Sequence, residues 1–162
     1  MAQISFSLVL PQWLAQWYLN RCGGSWPVKL PKGSLESIIV QQFSRPKSQG
    51  VAPDLTTPGA LMIAFPENKA KPANVYNYLP PAAKVMLEKV ISNIFDLCLF
   101  NDIVAPLFPE MLKKDLIYLW MEENNIEITE SNWNAIDKRF SRLRKKLLAE
   151  KRSKKSRKKN SI

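Results

Sequence analysis

The chain has 162 residues, 46% hydrophobic and 23% charged, enough to bury a core and too few for two full-sized domains. Histidine is absent, which excludes His-based acid/base chemistry, Ser-His-Asp triads and every His-containing zinc site. A formal net charge of +10 points to an acidic partner.

Residues 4–10 begin with alternation and end apolar, which favours a strand. Pro11 then opens a helix with Trp13, Leu14, Trp17 and Tyr18 at helical spacing, stopped by Gly23-Gly24. Residues 26–30 predict a second short strand. Ser34 is the expected N-cap of another helix, with Leu35, Ile38, Ile39 and Phe43 on one face. The proline- and glycine-rich stretch 45–59 reads as a long loop, 61–65 as a third strand and 66–81 as loop again. Tyr76 and Tyr78 in that last loop could stack bases, but packing against the core is the better reading.

The rest is helical. Residues 82–103 carry Val85, Met86, Val90, Ile94 and Leu97 around much of the circumference, as a central buried helix would. After a break at 102–109, a helix is expected from Pro109 to Asn124, with Leu112, Leu116, Leu119 and Trp120 on its apolar face. Thr129 and Glu130 open the last helix as cap and dipole partner. The fold class is therefore α+β and mostly helical. Residues 1–80 form an α+β part with strands and two helices, 81–148 a helical part, and 149–162 a basic disordered tail.

Charge is concentrated at the C-terminal end. From Lys138 onward there are 13 basic residues and one acid, Glu150, whereas residues 1–137 carry 11 basic and 13 acidic side chains. In the last helix Trp133, Ile136, Phe140, Leu143 and Leu147 recur at intervals of three and four, a narrow apolar seam. At about 100° per residue, Lys138, Arg139, Arg142, Lys145 and Lys146 fall opposite that seam, and Arg144 strays toward it. The pair at 109–148 thus has the order of a helix-turn-helix, in which the second helix meets the DNA groove. Lys151, Arg152, Lys154, Lys155, Arg157, Lys158 and Lys159 would add phosphate contacts from the tail. The seam could instead pair with a second copy of the chain.

Several chemistries lack their residues. Cys22 and Cys98 are too few for a disulfide framework or tetrathiolate site; they suit a reducing compartment and read as small buried hydrophobes. No glycine-rich phosphate loop occurs, since Pro31-Lys32-Gly33-Ser34 lacks the first glycine of one. Glu122, Glu123, Glu127 and Glu130 cluster at the last helical junction; a metal-dependent nuclease could use them, but a solvated face complementing a helix dipole is the better reading. No metal or cofactor is expected. The run 4–10 is too short for a membrane span, and 85–104 is broken by Glu88, Lys89, Asp96 and Asp102.

The segment Gly23-Gly24-Ser25-Trp26-Pro27-Val28-Lys29-Leu30-Pro31-Lys32-Gly33 resembles a glycine-then-strand-then-Pro-Lys-Gly passage of the Mor family of phage middle-operon transcription activators. The chain also looks like small uncharacterised proteins of prophages and mobile elements. That family pairs an N-terminal dimerisation region with a C-terminal helix-turn-helix, so the resemblance implies a transcriptional regulator. It covers about a dozen residues and transfers no site residue, and the C-terminal half departs from the family's compact helix-turn-helix pattern. The expected function is non-enzymatic DNA binding, with RNA as a possible ligand and a homodimer as a possible state; the alternatives are an assembly protein using the seam and an RNA-binding accessory factor. A membrane is not the expected partner, and the expected location is cytoplasmic, on the nucleoid, or nuclear in a eukaryotic host.

Overall fold

The computed structural model of the chain describes residues 3–48, 58–106 and 108–159. Among these are five α-helices and one two-stranded antiparallel sheet, the mostly helical α+β class that the sequence implies. The chain divides into two compact units, Met1–Asn93 and Ile94–Ile162.

In the first unit, β1 (Ser5–Leu8) pairs with β2 (Leu61–Ala64) in a register that sets Phe6 opposite Ile63, both buried. The strand expected at 26–30 reduces to one bridge: Val28 donates its N–H to Met62 O at 2.8 Å and accepts from Ala64 N–H at 2.9 Å. Pro27 and Pro31, which have no N–H to give, bracket it and stop the ladder. Helix α1 (Gln12–Arg21) buries Trp13, Leu14, Trp17 and Tyr18 as its spacing requires. It ends where Gly24, at φ 71°, donates to Leu19 O at 2.9 Å. Cys22 and Cys98 are half-buried rather than fully enclosed.

Helix α2 (Leu35–Phe43) starts on its expected cap, with Ser34 Oγ accepting from Ser37 N–H at 3.1 Å. Its buried face differs from the expected one. Glu36, Ser37, Ile39 and Val40 are buried, whereas Leu35 and Ile38 are exposed. The cause is a polar contact that hydrophobic periodicity cannot register: Tyr18 OH donates to Glu36 Oε1 at 3.1 Å inside the core, and that contact is met only at this rotation of α2. Burial, with Cys22 and Glu36 acting in the same direction, pushes the Tyr18 phenol far above its ordinary range.

Of the loop 45–59, residues 49–57 lie outside the described residues. Its start is tied down by Arg45, which exchanges backbone hydrogen bonds with Tyr78 at 2.9 and 3.1 Å. Tyr76 and Tyr78 are half-buried. Lys71 Nζ lies 5.7 Å from the Tyr76 ring centre and donates to Gln41 O and Gln42 O.

Helix α3 (Pro81–Leu99) continues into a π-helical turn, Phe100–Val104. Every fourth residue is enclosed: Ala83, Leu87 and Ile91 in the first unit, Phe95 and Leu99 in the second. The expectation of burial around much of the circumference is corrected here, because Val85, Met86 and Leu97 are exposed. Units this small have too few elements to surround a helix.

In the second unit, α4 (Lys113–Glu123) begins four residues later than Pro109, the expected start. Residues 108–111 turn first, and Leu112 takes an extended backbone as N-cap. Leu112 and Leu119 are exposed, while Ile117 and Met121 join Leu116 and Trp120 inside. Trp120 fixes that rotation by donating Nε1–H to Asp102 Oδ2 at 3.0 Å and by meeting Phe95 edge-on, ring centres 5.4 Å apart. Asn125, at φ 53°, then reverses the chain, and Ile126 N–H closes the helix on Met121 O at 2.9 Å.

Helix α5 (Glu130–Lys159) starts on the expected cap, Thr129 Oγ1 accepting from Asn132 N–H at 3.1 Å. It does not stop at Leu148. Where the charge density of 149–162 predicts a disordered tail, helix runs on through Lys159. Residues 130–159 contain no glycine or proline, Lys and Arg are good helix formers, and the docked turns remove the cost of nucleation.

Candidate nucleic-acid interface

α5 changes character along its length. Ile136 and Phe140 are buried, and Asn132 is clipped inside by donating Nδ2–H to Glu127 O at 2.9 Å. Trp133, Leu143 and Leu147 are half-buried. From Leu148 to Ser156 every residue is exposed. The helix is thus anchored by its first three turns, and residues 141–159 extend about 28 Å beyond Phe140 at 1.5 Å per residue.

The expected cations divide into two groups. Lys138, Arg144, Lys145, Lys146, Lys151, Arg152, Lys154 and Lys155 are exposed, and no carboxylate among the described residues pairs with them. For Arg157, Lys158 and Lys159 only the helical backbone is described. Arg139 and Arg142 are held within the protein. Arg139 Nη1 sits 2.6 Å from Asp96 Oδ1, and Arg142 Nη2 2.8 Å from Asp96 Oδ2. Arg139 also lies over the Phe95 ring, 5.7 Å from its centre.

The placement of Arg139 opposite the seam is therefore corrected. Its side chain is 22% exposed against 55% for Arg142, because residue 139 flanks Ile136 and Leu143 and meets the end of α3. Asp96 is the participant that sequence reasoning missed. It stands 43 residues from Arg139, and nothing local marks it as a partner.

The α4–α5 turn has the opposite sign. Glu122, Glu123, Glu127 and Glu130 are all exposed; Glu130 lies in the first turn of α5, where it complements the helix dipole, while Glu122 and Glu123 end α4. Among the described residues no three His, Cys, Asp or Glu side chains gather as metal ligands would. Among those residues, too, no helix is long and apolar enough to cross a membrane. No family model, curated protein or solved structure matches the chain.

Proposed function

We propose that the chain binds nucleic acid, duplex DNA foremost, by wrapping phosphates around the exposed half of α5, without catalysing a reaction. One observation carries this reading. Residues 141–159 form helix bearing eleven cations and a single acid, Glu150, with their apolar contacts ending near Leu148. A helix of this kind is about the width that a major groove admits. Its charge needs no specific sequence to bind, since phosphate neutralisation and counterion release supply the affinity.

Phosphate contact is favoured over a helix-turn-helix mode of reading bases. In that mode the N-terminal residues of the second helix approach the base edges. Here that end carries Glu130 and faces out beside Glu122, Glu123 and Glu127, which a phosphate backbone repels. The cations begin only at Lys138, two turns further on.

Fluorescence anisotropy with a labelled random duplex, at two salt concentrations, tests the proposal on the full chain and on residues 1–148. The full chain should bind with a log–log salt slope of about −5, for about six phosphates neutralised. Residues 1–148 should bind far more weakly and with a shallower slope. Equal binding by both would move the interface to the α4–α5 pair, and no binding by the full chain would end the nucleic-acid reading.

A further inference from the structure

The second unit exposes two surfaces that fit one another. The first is a groove beside α5, formed by two contiguous depressions of about 280 and 390 Å³ that share Lys113, Phe140, Arg144 and Leu148. Val104, Phe108, Leu116, Phe140 and Leu148 make it apolar, and its charged lining is cationic throughout: Lys113, Arg144, Lys145 and Arg152. Phe108 and Leu148 remain exposed in it.

The second surface is the outer face of α4. Leu119 is 48% exposed, and Leu112, the extended N-cap residue seven positions before it, is 73% exposed. At 100° per residue, Asp115, Glu122 and Glu123 fall within about 60° of Leu119, and all three are exposed. This is an apolar stripe with an acidic border, and the groove is an apolar floor with a cationic border. The lengths agree as well. Leu112 to Leu119 spans about 11 Å of helix, and Phe140 to Leu148 about 12 Å, at 1.5 Å per residue.

We infer that the groove beside α5 receives the α4 outer face of a second copy of the chain, making a head-to-tail contact. Because the two surfaces differ, the contact is heterologous, and in a pair one copy keeps a free face and the other a free groove. Association therefore continues into chains or rings instead of stopping at a symmetric dimer. A symmetric pairing of two α5 seams would bring two sets of eleven cations together, whereas this arrangement sets carboxylates against Arg144, Lys145 and Arg152, Lys113 being already paired with Asp137 at 2.6 Å. The inference does not depend on DNA binding and is tested without DNA.

The test uses nuclease-treated full-length protein in analytical ultracentrifugation at about 0.3 M salt, where charges more than roughly 6 Å apart are screened. The wild-type chain should sediment as a concentration-dependent mixture extending beyond the dimer. Leu148→Asp spoils the groove and Leu119→Lys spoils the α4 face; both sites are exposed, so each variant should stay folded by circular dichroism and sediment as a monomer. Mixing the two variants pairs the one intact groove with the one intact face, so heterodimers should form and nothing larger. A wild-type chain that stays monomeric at every concentration overturns the inference. So does a mixture in which both variants remain monomers, or a single variant that still self-associates.

Discussion

The two halves of α5 share one helical repeat and almost nothing else. In the first, Ile136 and Phe140 are enclosed, Asn132 is tied to the α4–α5 turn, and Arg139 bridges to Asp96. In the second, from Leu148 onward, every side chain that is described is exposed. Burial fixes the first half; the second is helical because it is covalently continuous with the first. The difference shows how a small basic protein can present a dense cationic surface without building that charge into its core. The anchor carries the stability and the extension carries the charge, so each should respond to a different substitution.

The largest expected effect tests the anchor. Phe140→Ala should destabilise the protein by about 3–5 kcal/mol, the usual cost of removing a buried phenyl ring, read as a shift in the midpoint of denaturant unfolding. Leu147→Ala, at a half-buried position, should cost about 1 kcal/mol, since roughly half the burial is lost. Equal losses at the two sites would mean that the docked region extends well past Phe140.

The extension should show the converse. Reversing Lys151, Lys154 and Lys155 to Glu should lower the affinity for random duplex DNA at low salt by about 100-fold or more, as phosphate contacts are replaced by repulsion. Stability should change by no more than about 0.5 kcal/mol, because exposed sites without partners rarely matter more. If these changes unfold the protein, the extension has a structural role and the contrast between the halves fails.

Asp96 joins the two regions and offers a smaller, sharper test. Asp96→Asn removes the carboxylate shared by Arg139 and Arg142 and should cost about 1 kcal/mol, as a partly exposed ion pair does. The same change frees Arg142, so DNA affinity should rise about two- to threefold, in line with one added charge contact. Lower stability with higher affinity is the signature to look for in paired melting and anisotropy measurements. A fall in both would show that Asp96 orders α5 for binding.

What could be read in the residues follows the same division. Caps and turns were legible because their chemistry is local: Ser34, Thr129 and the Asn124-Asn125 stop act where the sequence puts them. The seam was legible along its length, from Trp133 through the buried Ile136 and Phe140 to the half-buried Leu143 and Leu147. The rotations of α2 and α4 were not, since they are set by contacts distant in sequence. Tyr18 with Glu36 turns α2 away from Leu35 and Ile38, and Trp120 with Asp102 turns α4 away from Leu112 and Leu119. Arg139 is a different case: its place beside Ile136 and Leu143 follows from the helical repeat, and only its partner Asp96 on α3 was out of reach.

The smallest expected effect concerns the extension's own helix, where local terms oppose one another. Glu150 and Lys154 form a favourable i,i+4 pair, while Lys151–Lys155, Lys154–Lys158 and Lys155–Lys159 repel, each by about 0.2–0.5 kcal/mol. Cations near a helix C-terminus gain from the dipole, which offsets part of that repulsion. The balance is close, so neutralising the charge should tip it toward helix. Adding duplex DNA, or raising salt in its absence, should deepen the helical circular-dichroism signal by no more than the contribution of residues 149–159, and a 1–148 chain should show no change. A signal that weakens on DNA binding would mean that the extension unwinds to follow the backbone; the interface would then be an extended basic arm, with its charges still engaged and its helical pitch irrelevant to recognition.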